Sequence, residues 1–99
     1  MDDYAPVSYH YDDGMDVLYV WVRQPEEVVC VEPEDGIAIR FDANSDEWVG
    51  YTIVDCRRRF AGRSPAEIAL PIVPQFSLEP LKRVLTGKWE APIRELQAA

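Results

Sequence analysis

Apolar and polar positions alternate in short runs through the first half of the chain, which is the pattern of β-strands. Residues 17–22, VLYVWV, are apolar on both sides: Leu18, Val20 and Val22 point one way, Val17, Tyr19 and Trp21 the other. Such a strand is predicted to be central, with cover on each face. Residues 8–11 and 28–31 (VVCV) are shorter candidates. In 37–41, Ile37, Ile39 and Phe41 alternate with Ala38 and Arg40; in 48–54, Val49, Tyr51 and Ile53 oppose Trp48, Gly50, Thr52 and Val54. The connections DDG (12–14), PEDG (33–36) and DANSDE (42–47) carry residues that tolerate tight or left-handed backbone. Strands so close in sequence are expected to pair antiparallel, as a meander.

The pattern changes after residue 60. Ser64 and Pro65 fit the cap and first position of one helical turn. ALPIVPQF is apolar but broken by Pro71 and Pro74, so it is predicted to be extended. A helix is predicted over 78–86, with Ser77 as its cap, an apolar stripe of Leu78, Leu81, Val84 and Leu85, and Gly87 at the stop. Trp89, Ile93 and Leu96 repeat this spacing weakly in the tail. The predicted fold is α+β, one domain over 1–99. A small, mostly antiparallel sheet (9–60) carries one or two short C-terminal helices in an extended and helical extension (61–99). The segment around Leu70 to Leu85 would cover one face. Tyr19 and Trp21 on the other would need the tail or a second copy of the chain, so a homodimer is expected.

Composition supports folding: 99 residues, 47% hydrophobic, one modest core. The opening MDDYAPVSYH is acidic and unlike a secretory signal, and no apolar run reaches the roughly 20 residues of a membrane helix. A soluble cytoplasmic chain is therefore expected. Cys30 and Cys56 have no metal-binding spacing and are expected to be reduced, unless adjacent strands bring them together.

Charge is distributed unevenly. Residues 1–55 hold two arginines against fourteen acids, a net −12, and residues 56–99 hold eight basic groups against four acids, a net +4. The total of −8 makes nucleic acid a poor default partner and a small basic protein a better one. The dense positive run, Arg57, Arg58, Arg59 and Arg63, suits an anion or nucleic acid, or simply answers the acidic half. Asp42, Asn44 and Asp46 match the first ligand spacings of a calcium loop. Glu47 stands where glycine is needed and Ile53 where the bidentate glutamate is needed, so a turn is the better reading and no metal or cofactor is expected. His10 is the single histidine; with Asp55 or Cys56 it could form a nucleophile–base pair, but an incidental strand histidine is the simpler reading. With no phosphate loop and no nucleophile elbow, a non-enzymatic binding module is expected. Tyr19, Trp21, Trp48 and Trp89 are its contact candidates.

The runs YDDGMDVLYVWV and EDGIAIRFDANSDEWVGYTIVD resemble the small bacterial family known as domain of unknown function 2283. The matching positions are Tyr11, Asp12, Asp16, Leu18, Tyr19 and Val20, then Gly36, Ile37, Asp42, Val49, Gly50, Ile53 and Asp55, within residues 9–60. The resemblance implies a compact β-rich domain with no established reaction, and an antitoxin-type or other partner-binding role. It also implies that Asp12 and Asp16 flank a hairpin turn, with Asp16 bonding the backbone before the central strand. The arginine run and the long C-terminal extension depart from the family pattern.

Overall fold

Five strands and a layer of short helical segments appear in the computed structural model, which describes residues 7–89. The strands are β1 (Ser8–Asp12), β2 (Val17–Trp21), β3 (Val28–Glu34), β4 (Ile37–Asp42) and β5 (Trp48–Val54). One-turn helix α1 (Cys56–Arg59) follows at once. A 3-10 turn at Pro65–Glu67 comes next, and a second at Gln75–Leu78 runs into helix α2 (Glu79–Leu85). A small α+β fold is therefore present. Ile93 and Leu96, which the tail pattern singled out, lie outside the described residues.

All strand pairs are antiparallel, but the order is β1-β2-β5-β4-β3 rather than that of a simple meander. Strands β3, β4 and β5 form successive hairpins, and β2 returns beside β5 in a Greek-key arrangement. Residues 22–27 cross the end of the sheet over about 14 Å, three strand spacings, which six residues span easily. Arg23 staples this crossing to the β4–β5 turn through Asp42 (2.7 Å) and Glu47 (2.9 Å). The pairing puts the most apolar strands side by side, leaving Leu18, Val20, Tyr51 and Ile53 fully buried, and consigns acid-flanked β3 to the edge. Gly50 permits the close approach: a Cβ there would lie 2.5 Å from the Val20 carbonyl oxygen.

The registers line up two core rows across the sheet: Tyr9, Val20, Tyr51 and Ile39, then Tyr11, Leu18, Ile53 and Ile37. Phe60, Ile68, Leu70, Val73, Leu78, Leu81 and Val84 pack against them from the second half of the chain. Burying such side chains contributes about 1.5–3 kcal/mol each before chain entropy is counted. The alternation in β5 does not run through to its start. A register shift opposite Arg40 and Phe41 brings Trp48 beside Phe41 on the core side, while Val49 lines the other face of the sheet.

The helical segments also differ in detail from the sequence pattern. Ser64 stands in the cap position of the first 3-10 turn without a side-chain bond. Ser77 does not cap α2 but lies buried inside the preceding 3-10 turn, where its carbonyl accepts the Tyr51 hydroxyl at 2.7 Å. Gly87 does end α2, with φ 78°, and Lys88 N–H closes back onto the Arg83 carbonyl at 2.7 Å. Cys30 is exposed on β3 and Cys56 is buried; both thiols are free.

Candidate functional site

The aspartates of the β1–β2 turn have structural duties. Asp12 accepts the Met15 amide at 3.1 Å, an ordinary side-chain turn. Asp16 adopts left-handed backbone, φ 58°, and its carboxylate reaches well away from its own hairpin. It accepts the Tyr11 hydroxyl at 2.7 Å and the amides of Arg57 and Arg58 at 2.8 and 3.2 Å. Its carbonyl accepts the Cys56 amide at 2.9 Å. Asp16 thus supplies, from a distant turn, the cap that Asp55 does not give α1. The resemblance placed Asp16 on backbone before β2; the backbone it holds is instead the exit of β5. Burial pushes the Asp16 carboxyl up, and the Tyr11 hydroxyl and two amides overcome this, leaving it below its ordinary value. Burial, then the bond to Asp16, pushes the Tyr11 hydroxyl well up.

Asp42 and Asp46 are likewise committed to a turn. Asp42 accepts the Asn44 amide at 2.8 Å and pairs with Arg23, and Asp46, φ 62°, donates its amide to the Asp42 carbonyl. Those bonds, the Asn44 amide first and Arg23 next, hold the Asp42 carboxyl below its usual range.

The arginine run divides because α1 turns successive side chains in different directions. Arg59 reaches back to the β3–β4 turn, donating to the Asp35 carbonyl at 2.6 Å and meeting Glu34 at 3.6 Å. Arg57 lies over the Trp89 ring, 5.1 Å from its centroid. The Arg58 guanidinium makes an exposed contact with Asp55 at 3.7 Å. Arg57, Arg58 and Arg63 line an open cleft of about 680 Å³, together with Asp13, Asp16 and Thr86. Three of the four arginines therefore share a surface, and Arg59 is spent on the fold.

The four aromatic contact candidates also divide. Trp48 is half-buried, edge-on to Phe76 at 6.4 Å and tilted against Tyr51 at 6.2 Å, and its buried indole nitrogen has no hydrogen-bond partner among the described residues. Trp89 is half-buried and edge-on to Tyr11 at 5.1 Å, and its carbonyl accepts the Tyr9 hydroxyl. These two serve the chain's own packing. Tyr19 and Trp21 lie on the opposite face of the sheet, where no helical segment packs among the described residues. There they line a shallow hollow of about 490 Å³ with His10, Val28, Arg40, Val49 and Thr52. Tyr19 is 40% exposed and stacks beside His10 at 6.1 Å; Val54, on the same face, is 43% exposed. Arg40 also lines the hollow and donates to the Thr52 hydroxyl at 2.7 Å.

His10 and Cys56 are not brought together. His10 belongs to the bare face, while Cys56 has no exposed surface and sits in the core on the other side of the sheet. Burial, and secondarily the Asp16 charge, pushes the Cys56 thiol up to about 12, the reverse of an activated nucleophile. Asp55 stands between strand and helix in left-handed backbone, φ 56°, and faces solvent beside Arg58.

Comparison of the chain with protein-family models, with curated proteins and with solved structures returned no match. The family resemblance rests on the quoted residues alone. No helix among the described residues is long and apolar enough to cross a membrane.

Proposed function

We propose that the chain is a non-enzymatic protein-binding module whose bare sheet face docks a second copy of itself. The observation that carries this reading is the inequality of the two faces. One is covered by the chain's own C-terminal half, and the other, among the described residues, leaves Tyr19, Trp21 and Val28 around an open hollow and Val54 exposed on the same face. Aromatic anchors in a shallow apolar setting are typical of association surfaces. Light scattering across a concentration series tests it. The native chain is expected to be a dimer that becomes monomeric with Tyr19→Ser and Trp21→Ser, at unchanged circular dichroism. A native monomer at millimolar concentration would overturn the reading. An antitoxin-type role is the version of it in which a basic partner also binds in equal amount.

A second reading, anion binding, is favoured by one observation: Arg57, Arg58 and Arg63 line one cleft, and Arg63 has no acidic partner among the described residues. Titration with inorganic pyrophosphate at low salt tests it. Binding that weakens with salt and disappears in Arg58→Gln with Arg63→Gln would support it; equal binding by that variant would dismiss it.

A further inference from the structure

We propose that the free edge of the sheet, β3, accepts an extended, basic segment of a partner protein as a sixth strand. This deepens the protein-binding reading but puts the partner on a different surface from the self-contact.

Strand β3 ends the sheet, and every residue of Val28–Glu34 is exposed. The phase of its ladder follows from one bond: the Ala43 amide donates to the Glu27 carbonyl at 3.0 Å, in register with Val29 opposite Phe41 and Val31 opposite Ile39. Backbone groups alternate in and out along an antiparallel strand. Glu27, Val29 and Val31 therefore face β4, and Val28, Cys30 and Glu32 turn their N–H and C=O groups away from the sheet. Edges are commonly blunted by proline, a bulge or an inward charge. Here Pro33 and the register shift between Val31 and Glu34 close only the far end of the strand. Over residues 28–31 the edge is four apolar side chains long, and nothing among the described residues protects it. Val29 and Val31 share the face of the core but lie beyond its helical cover, 51% and 39% exposed. Val28 and Cys30 continue the bare face. An incoming strand would find an apolar neighbour on both sides.

Charge selects the occupant. Glu26, Glu27, Glu32, Glu34 and Asp35 surround the edge, and residues 24–35 contain no lysine or arginine. Among the described residues only Glu34 of these has a cationic partner, Arg59. A second copy paired about Cys30 would set Glu26 of each chain against Glu34 of the other, a like-charge contact. A segment with β-branched residues alternating with lysine or arginine satisfies both the backbone and the glutamates, the strand-addition mode of recognition.

The probe is an eight-residue capped peptide of alternating valine and lysine, followed by fluorescence anisotropy on the full chain. Three comparisons decide the matter. Methylating alternate peptide amides is expected to weaken binding at least tenfold, because it removes the pairing N–H groups. Glutamate in place of lysine is expected to abolish binding. Cys30→Pro removes one outward N–H that the fold does not use and is expected to weaken binding at least tenfold with the chain still folded. Equal binding of the methylated peptide, or no binding of the parent, would overturn the proposal. So would a native dimer that Cys30→Pro dissociates, which would give the edge to a second copy. No binding of the parent peptide by a native chain whose Tyr19 and Trp21 dimer is intact would overturn this proposal alone. The reverse result would remove the self-contact and leave the edge.

Discussion

Replacing Asp16 by asparagine tests the node that joins the β1–β2 turn to the end of β5. Asparagine keeps the left-handed backbone, which it tolerates well, and keeps the carbonyl that holds the Cys56 amide. What it loses is charge and one acceptor oxygen against three donors, the Tyr11 hydroxyl and the Arg57 and Arg58 amides. Hydrogen bonds to charged groups stabilise by about 1.5–3 kcal/mol and neutral ones by about 0.5–1.5. A lost helix cap costs about 1 kcal/mol. Discounted for a half-exposed site, the expected loss is about 2 kcal/mol at pH 7. For a chain this size that lowers Tm by roughly 10 °C. The sign with pH follows from the carboxyl. Its folded pKa lies below the unfolded value of about 3.9, so its contribution is full above that value and fades as pH falls through the folded one. Urea melts of Asp16→Asn and native chain at pH 7 and at successively lower pH measure the gap directly. A gap under about 0.5 kcal/mol at pH 7, or one that does not narrow in acid, would refute the assignment.

Tyr51→Phe removes the buried donor to the Ser77 carbonyl and is expected to cost about 1–2 kcal/mol in a urea melt. Ile72 is a β-branched residue at φ 66°, exposed between two prolines, so Ile72→Gly or Ile72→Asn is expected to stabilise by about 1 kcal/mol; a destabilised Ile72→Asn would contradict this. In the native chain a maleimide is expected to modify Cys30 within minutes and to reach Cys56 only after denaturation, read by mass spectrometry of tryptic peptides.

Local patterns were legible wherever one strand or one helix carried its own signal. The strands at 17–22, 37–41 and 48–54, the stripe of α2 and the Gly87 stop follow from period and cap residues. The pairings of β1 with β2, β3 with β4 and β4 with β5 were legible from closeness in sequence, but that of β2 with β5 was not, because VLYVWV is as compatible with a neighbour in sequence as with YTIV thirty residues on. What decides between them is the total apolar area buried, a property of the whole sheet. The phase of β5 was lost for a similar reason: one extra residue in a strand leaves no mark on composition, yet it exchanges the sides of Trp48 and Val49. The contact candidates suffered accordingly. Tyr19 and Trp21 lie on a regular strand and reach the bare face, whereas Trp48 and Trp89 are taken up in packing. Helix α1 was missed because its cap comes from residue 16, forty positions away. The edge character of β3 had a readable sign, VVCV enclosed by glutamates on both sides, which marks a strand that solvent must tolerate.

The pairing of β2 with β5 also sets an order of events. The N-terminal hairpin contains half of each core row, yet its partner is not made until residue 54 has been added to the chain. The hairpins of β3, β4 and β5 are local and can close first, in microseconds; the early hairpin must then be captured across a loop. Its docking, rather than the closure of any turn, is expected to set the folding rate. Residues 1–24 added as a separate peptide to a chain beginning at residue 25 should therefore rebuild the native sheet, with a rate that rises with peptide concentration.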